Sequence, residues 1–476
     1  MMGYLVNASL AVVFLAVLCI PDSAIARITS HFGLDPDLII HIMGLIKTSV
    51  IVLLLAIALN KVPGWFQSPS KAPPVTGTVE PGWDHVRDVY RKLFENGDDR
   101  GSSLSVYHKG KPVVDLRGGF ANEKELWPWQ ENTVTRMFSS TKGLAAIVVG
   151  MLVDRGLLKY DDLVVKHWPE FGANGKEKVT VEMLLSHQTG LTNISDPNYS
   201  IWDELSDMKK VDKAFAAQEP LWEIGSGVGY HAVTIGMYMD LLVRRVDPKK
   251  RGVAQFFHEE ISQPHGIDIQ LGLKDADVYR ATTIDLCPFS VRYLLIPEVR
   301  QFMFDHFLGW MGEGTELYAN MYGPDLGARF VDPEIDGMFI RMRPDVNKLW
   351  NPSVFGYGNA HALAKLYGIL ANGGSSNGKK LMSPATVEQQ TKAVKSGKDK
   401  ILSLQATFGR GYTIIPSLKN TPMFGTPGLG GQMGYADPKN KLGIGFTSNY
   451  LSITGLKDHR YLSLERAIYD VLEKIK

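Results

Sequence analysis

Strand-like and helix-like runs are segregated along this chain, and that segregation limits the available folds more than any other feature. Leu104–Tyr107 and Pro112–Leu116 flank His108-Lys109-Gly110-Lys111 and read as a hairpin. Toward the other end, Gly409–Ile415, Gln432–Ala436 and Leu442–Asn449 read as strands, with Asp437-Pro438-Lys439-Asn440 turning between the last two. Between these groups, Gly143–Leu158 is apolar and long enough for a buried helix, and Asn359–Ala371 predicts another, ended by Asn372-Gly373-Gly374. Trp83–Phe94 and Leu462–Ile475 carry helical spacing of apolar residues. Strands at both ends with helices between them predict an α+β fold. Its antiparallel β-sheet is built from both chain ends and flanked by helices, with a mainly helical region inserted. The aromatic-, Met- and Gly-rich stretch from about Phe289 to Arg343 reads as an insertion beside the site, without assigned elements.

Composition removes several function classes. A formal net charge of +1, with no Lys/Arg-rich block interleaved with aromatics, argues against nucleic acid as a partner. Only Cys19 and Cys287 are present, which excludes a disulfide framework and a cysteine-based zinc site. The histidines form no His-x-x-x-His pair, so no metal or cofactor is implied.

The N-terminal 1–60 carries two apolar segments. Tyr4–Ile20 precedes Ala24-Ile25-Ala26, the small-x-small form of a signal-peptidase site, although the n-region lacks a basic residue. Leu38–Leu59 is about long enough to span a bilayer, with Lys47 able to reach the interface; a buried or interfacial helix is the alternative. Residues 61–81, with Lys-Val-Pro-Gly, Ser-Pro-Ser and Ala-Pro-Pro, read as an extended linker, leaving 82–476 as the catalytic region. The expectation is a membrane-anchored protein of the secretory pathway or an organelle, with that region outside the bilayer. The sequons Asn193-Ile194-Ser195 and Asn198-Tyr199-Ser200 fit a lumenal loop. Arg27, Lys61 and Lys71 put positive charge on both sides of the apolar segments, so orientation is not legible.

Ser-x-x-Lys places a nucleophile and a base one helical turn apart, with the helix N-terminus favouring negative charge on the serine oxygen. A lysine buried there loses its proton readily, and the neutral amine can take the serine proton. The pattern occurs at Ser139/Lys142, Ser68/Lys71, Ser206/Lys209 and Ser376/Lys379. Ser68 lies in the linker, Ser206 in a charged stretch and Ser376 after Asn-Gly-Gly. Only Ser139 opens a long apolar helix that can bury its lysine. The elbow-like Gly374-Ser375-Ser376-Asn377-Gly378 follows a helix, where that motif needs a preceding strand, and reads as a flexible loop.

Several motifs in order resemble the serine β-lactamase-like family, which includes class C β-lactamases, D-alanyl peptidases and family VIII esterases. Phe138-Ser139-Ser140-Thr141-Lys142 resembles its first motif, and Gly229-Tyr230-His231-Ala232 its second. Phe424-Gly425-Thr426-Pro427-Gly428, leading to Gly434-Tyr435-Ala436-Asp437-Pro438, is similar to the third, on an inner edge strand. Leu158–Phe171, Val179–Leu191 and Asn359–Gly374 resemble further family stretches, so the likeness runs from about Trp83 to the C-terminus. It implies Ser139 as nucleophile, with Lys142 and Tyr230 accepting its proton; which of the two is the formal base stays open. It also implies an oxyanion and substrate site at the N–H groups of Ser139 and Leu429, beside Thr426 and Gly428. His187 is implied to be structural, and His231 is read as packed against the sheet.

Two departures bear on the substrate. Ala232 stands where these β-lactamases carry Asn, and Thr426 where the third motif offers Lys or His. Losing a cation and an amide donor favours a small or lipid-like neutral ester, through an acyl-enzyme on Ser139. The alternatives are a peptidase or β-lactam amidase of the same fold, and a weakly active membrane scaffold that self-associates, as some mitochondrial relatives do.

Overall fold

The computed structural model describes residues 73–286 and 344–475, apart from 403 and 453–457, together with the isolated positions 35 and 299. The chain divides into two units, Met1–Ser70 and Lys71–Lys476, and everything below concerns the second. The apolar segments Tyr4–Ile20 and Leu38–Leu59, and nearly all of the insertion from 289 to 343, lie outside the described residues. Among the described residues no helix is long and apolar enough to cross a membrane.

The main strands are β1 (Thr76–Val79), β2 (Gly101–His108), β3 (Lys111–Asn122), β4 (Lys395–Lys398), β5 (Gln405–Phe408), β6 (Thr413–Pro416), β7 (Pro422–Gly425), β8 (Met433–Asp437) and β9 (Leu442–Ser448). They belong to one 10-stranded sheet in the order β1-β3-β2-β9-β8-β7-β6-β5-β4, with Trp127–Pro128 added beside β3. Every pairing in it is antiparallel. The two chain ends meet at its centre, where β2 pairs β9 with Leu104 opposite Phe446 and Val106 opposite Ile444. The β2–β3 hairpin turns through Lys109 and Gly110, both at positive φ (52° and 81°), the mirror-image turn that suits the strands' twist.

Alternation along β9 assigns its faces. Leu442, Ile444 and Phe446 join a core closed by α1 (Asp84–Glu95) and α5 (His459–Lys474). α1 contributes Val86, Tyr90 and Leu93, a narrow stripe that leaves its other face in water. The opposite face of β9 carries Gly443 and Gly445 beneath α4 (Ala360–Ala371). A Cβ at Gly443 would overlap the backbone of Ala364 and Gly368, and one at Gly445 that of Ala360 and Ala364. These glycines therefore let α4 lie directly on the sheet. A larger core follows on that side, built around α2 (Lys142–Asp154), α3 (Thr234–Val246) and α4. α2 is buried from Lys142 to Leu152, which explains its apolar composition all round.

Several expectations need correction. The third motif follows β7, which lies between β6 and β8 and is not an edge strand. The sheet continues through β4 and β5, whose polar sequences show no alternation by which to read them. The helix expected to reach Leu158 ends at Asp154, where Gly156 takes a left-handed φ of 70°. Gly374–Gly378 is no flexible loop: Ser375–Ser376 pairs with Lys379–Lys380 across an Asn377-Gly378 turn. It lacks the strand-to-helix bend that an elbow serine needs.

Candidate active site

Ser139 sits in a single 3₁₀ turn, Phe138–Thr141, that runs straight into α2. Phe138 takes φ 47°, a left-handed conformation unusual for a bulky residue. Its ring is locked against Ile284 and Leu451, and Thr141 Oγ1 donates to its carbonyl at 2.5 Å. The turn leaves Ser139 half-buried while Lys142 is 2% exposed.

Lys142 Nζ lies 3.0 Å from Ser139 Oγ. Its other two contacts are main-chain carbonyls, Ala232 O at 2.6 Å and Ser353 O at 3.0 Å. Burial alone pushes the Lys142 ammonium well below the usual lysine range. A neutral amine has two N–H donors and one lone pair. With both donors directed at carbonyls, the lone pair is left for the Ser139 hydroxyl.

Tyr230, half-buried, presents its ring to the same nitrogen, with the centroid 4.8 Å from Nζ. A ring face so placed stabilises the ammonium that forms when the lysine takes a proton. The backbone around Tyr230 is fixed by buried partners. Asp399 accepts the N–H groups of Ile401 and Leu402 and faces that of Tyr230. His187 Nδ1 accepts the N–H of His231, and the His187 carbonyl accepts that of Gly229. Burial holds His187 well below the usual histidine range, so it is a neutral buttress. His231 Nδ1 donates to Gly229 O at 2.6 Å while Nε2 accepts from Leu191 N at 3.0 Å, which sets its tautomer. Its pKa is lowered to about 4 by burial. His231 packs among His187, Trp222 and the 189–191 loop.

The third motif approaches from the other side. Gly428 N donates to Gln432 O at 2.7 Å, and Ser140 Oγ donates to the same carbonyl at 3.3 Å. A Cβ at Gly428 would overlap the Met137 carbonyl and crowd Ser140 Oγ, so this glycine lets the loop reach the nucleophile turn. The next residue, Leu429, is 50% exposed, and its N–H donates to no main-chain carbonyl among the described residues. Thr426 directly follows β7. It is 3% exposed and meets the Tyr367 hydroxyl above Gly143. Its side chain offers the site no cation.

The structure brings Ser139, Lys142, Tyr230, Gly428 and Leu429 together, and buries Thr426 behind them. Two features were not legible in the sequence: the carbonyl of Ser353, and the carbonyl of Ala232, whose side chain had suggested only a lost amide. Main-chain acceptors carry no side-chain signature. Among the described residues, no group of His, Cys, Asp and Glu side chains could hold a metal ion.

Comparison with known proteins identifies the family and the fold. The Beta-lactamase family model matches residues 86–467. The chain is 30% identical over 390 residues to the esterase/beta-lactamase LipL of Mycobacterium tuberculosis, covering 81% of this chain and 85% of that protein. The crystal structure of a family VIII carboxylesterase superposes with a TM-score of 0.70 at 31% identity, over 83% of this chain and 99% of that one. A penicillin-binding protein homologue from Caulobacter crescentus gives the same figures, 0.70 and 31%, with the same coverage.

Proposed function

The chain belongs to the beta-lactamase family and is a serine hydrolase, and from that premise we propose that it is an esterase acting through an acyl-enzyme on Ser139. The observation that carries this reading is the environment of Lys142: 3.0 Å from Ser139 Oγ, buried, and with both remaining contacts made to carbonyls. Lys142 takes the Ser139 proton as Oγ attacks the substrate carbonyl carbon. The oxyanion is received by the N–H groups of Ser139 and Leu429. As the tetrahedral intermediate collapses, the proton held on Lys142 passes to the leaving alkoxide, while the Tyr230 ring face steadies the ammonium until it does. Water then attacks the acyl-enzyme with Lys142 again as base, releasing the acid and restoring the Ser139 hydroxyl.

A neutral ester suits the site better than a β-lactam or peptide. Those substrates present a carboxylate, and Thr426 supplies no cation at the third-motif position. The carboxylesterase activity named for the family VIII structure supports the same choice, and the name of LipL gives esterase beside beta-lactamase. The test is a turnover screen with p-nitrophenyl esters of graded acyl length, a chromogenic cephalosporin and D-alanyl-D-alanine peptides. Ester turnover that Ser139→Ala abolishes, with the other substrates at least about 100-fold poorer, is the expected result. Preferential turnover of the cephalosporin or the peptides overturns it.

We also propose that the N-terminal segments tether this unit to a membrane. The support is the length of Leu38–Leu59 and the proline-rich spacer after it. Alkaline carbonate extraction should leave the full chain in the membrane pellet and release a chain lacking 1–60. Release of both contradicts the tether.

A further inference from the structure

The two carbonyls that receive Lys142 come from segments far apart in sequence, and a buried polar chain joins them. Ser353 Oγ donates to Val233 O at 2.7 Å and accepts from Gly236 N at 2.8 Å. Those bonds staple the segment bearing Ser353 O to the one bearing Ala232 O. Behind Ser353, Asn351 Oδ1 accepts the Ser353 N–H at 2.8 Å, and Asn351 Nδ2 donates to Glu204 Oε1 at 2.8 Å. Glu204 Oε1 also accepts the Tyr199 hydroxyl at 2.8 Å. Tyr199, Glu204, Asn351 and Ser353 are all buried.

The groups acting most strongly on the Glu204 carboxyl are Asn351, Tyr199, Asp240 and Asp203. Burial pushes it up to about 8, against the hydrogen bonds from Asn351 and Tyr199. Its Oε1 accepts both of those bonds. Burying four polar side chains costs desolvation free energy that their mutual hydrogen bonds offset, and a bonded buried network of this kind is rigid. What they hold is the 351–353 turn, and through it a carbonyl on Lys142.

We propose that the Glu204–Asn351–Ser353 chain is a positioning device for Lys142: it fixes the two carbonyls that take the amine's N–H bonds, and so aims its lone pair at Ser139 Oγ. The inference rests on the reading of Lys142 as the base of Ser139. With one carbonyl displaced, the amine is free to turn about its Cε–Nζ bond and lose that aim. Water then also reaches Nζ, and its pKa relaxes upward toward the ordinary lysine value.

The test uses the full chain and a fluorophosphonate, following the second-order rate of Ser139 modification against pH. The proteins are the wild type, Lys142→Ala, Ser353→Ala, Asn351→Leu, Glu204→Leu and Glu204→Gln. Ser353→Ala, Asn351→Leu and Glu204→Leu should each react at least about tenfold more slowly, with the rise of rate displaced to higher pH. Glu204→Gln keeps an acceptor oxygen and should recover most of what Glu204→Leu loses. Ser353→Ala removes one oxygen and no volume of consequence, so it decides the matter should the leucine variants fail to fold. Wild-type rates in a folded Ser353→Ala, or slower rates with an unmoved pH profile, overturn the inference while leaving the base assignment intact. A wild-type rate that Lys142→Ala does not change overturns both.

Discussion

Lys142 is an ionisable amine set into a helix buried from Lys142 to Leu152, where burial, not a neighbouring carboxylate, depresses its pKa. Holding a cation there costs several kcal/mol, and the apolar side chains of α2 offset that cost at about 1.5–3 kcal/mol each. Lys142→Met should therefore cut ester turnover by about 10²–10⁴-fold, the usual contribution of a positioned base, while leaving the melting temperature unchanged or raised. A melting temperature lowered by ten degrees or more would show that the lysine stabilises the fold, contrary to this account. The sign of the pH effect follows from the same shift. Between the depressed folded pKa and the unfolded value of about 10.5, the unfolded chain binds more protons, so stability rises with pH. Below the folded pKa that contribution is gone, and so is activity, because the neutral amine is the reactive form. Thermal melts across this range should show a slope in the wild type that flattens in Lys142→Met; parallel curves would contradict the shift.

At the scale of elements, the close approach of α4 to β9 depends on glycines whose absent side chains leave room for a helix backbone. Gly445→Ala sets a methyl against the backbone of Ala360 and Ala364, and should destabilise by about 1–3 kcal/mol or more. Gly378→Ala is the fitting comparison. Its Cβ meets open space, and only its positive φ of 74° penalises it, by about 1 kcal/mol. Denaturant titration should rank Gly445→Ala clearly below Gly378→Ala; equal losses would mean that α4 moves away from the sheet freely. Legibility divides along the same lines. The β2–β3 hairpin, α1, α4 and β9 were readable because alternation, helical spacing and turn glycines agree with one another there. β4 and β5 were not, because Lys-Ser-Gly-Lys and Gln-Ala-Thr-Phe take strand form from their neighbours in the sheet. The strained Phe138 and the short 3₁₀ turn were equally hidden, since tertiary packing imposes both.

Over the whole molecule, the sheet closes the chain upon itself: β2 pairs with β9, and α1 packs against α5. Removing residues 459–476 would strip Tyr461, Leu464, Ile468, Tyr469 and Leu472 from the core. At about 1.5–3 kcal/mol for each large apolar side chain, that loss matches a typical total stability of about 5–15 kcal/mol. The truncated chain should show no cooperative melt by circular dichroism, and a wild-type melt would place the stabilising core elsewhere. The pairing of Ser139 with a buried Lys142 was legible at this scale, because one Ser-x-x-Lys among four opens a helix apolar enough to bury the amine. The partners that orient the amine were not, because Ala232 and Ser353 act through their carbonyls. The most direct test of the central claim is fluorophosphonate labelling of the full chain, followed by peptide mapping. The account predicts one modified residue, Ser139, with labelling lost in Lys142→Ala. A folded wild-type protein that takes no label, or takes it on Ser375 or Ser376, would contradict it.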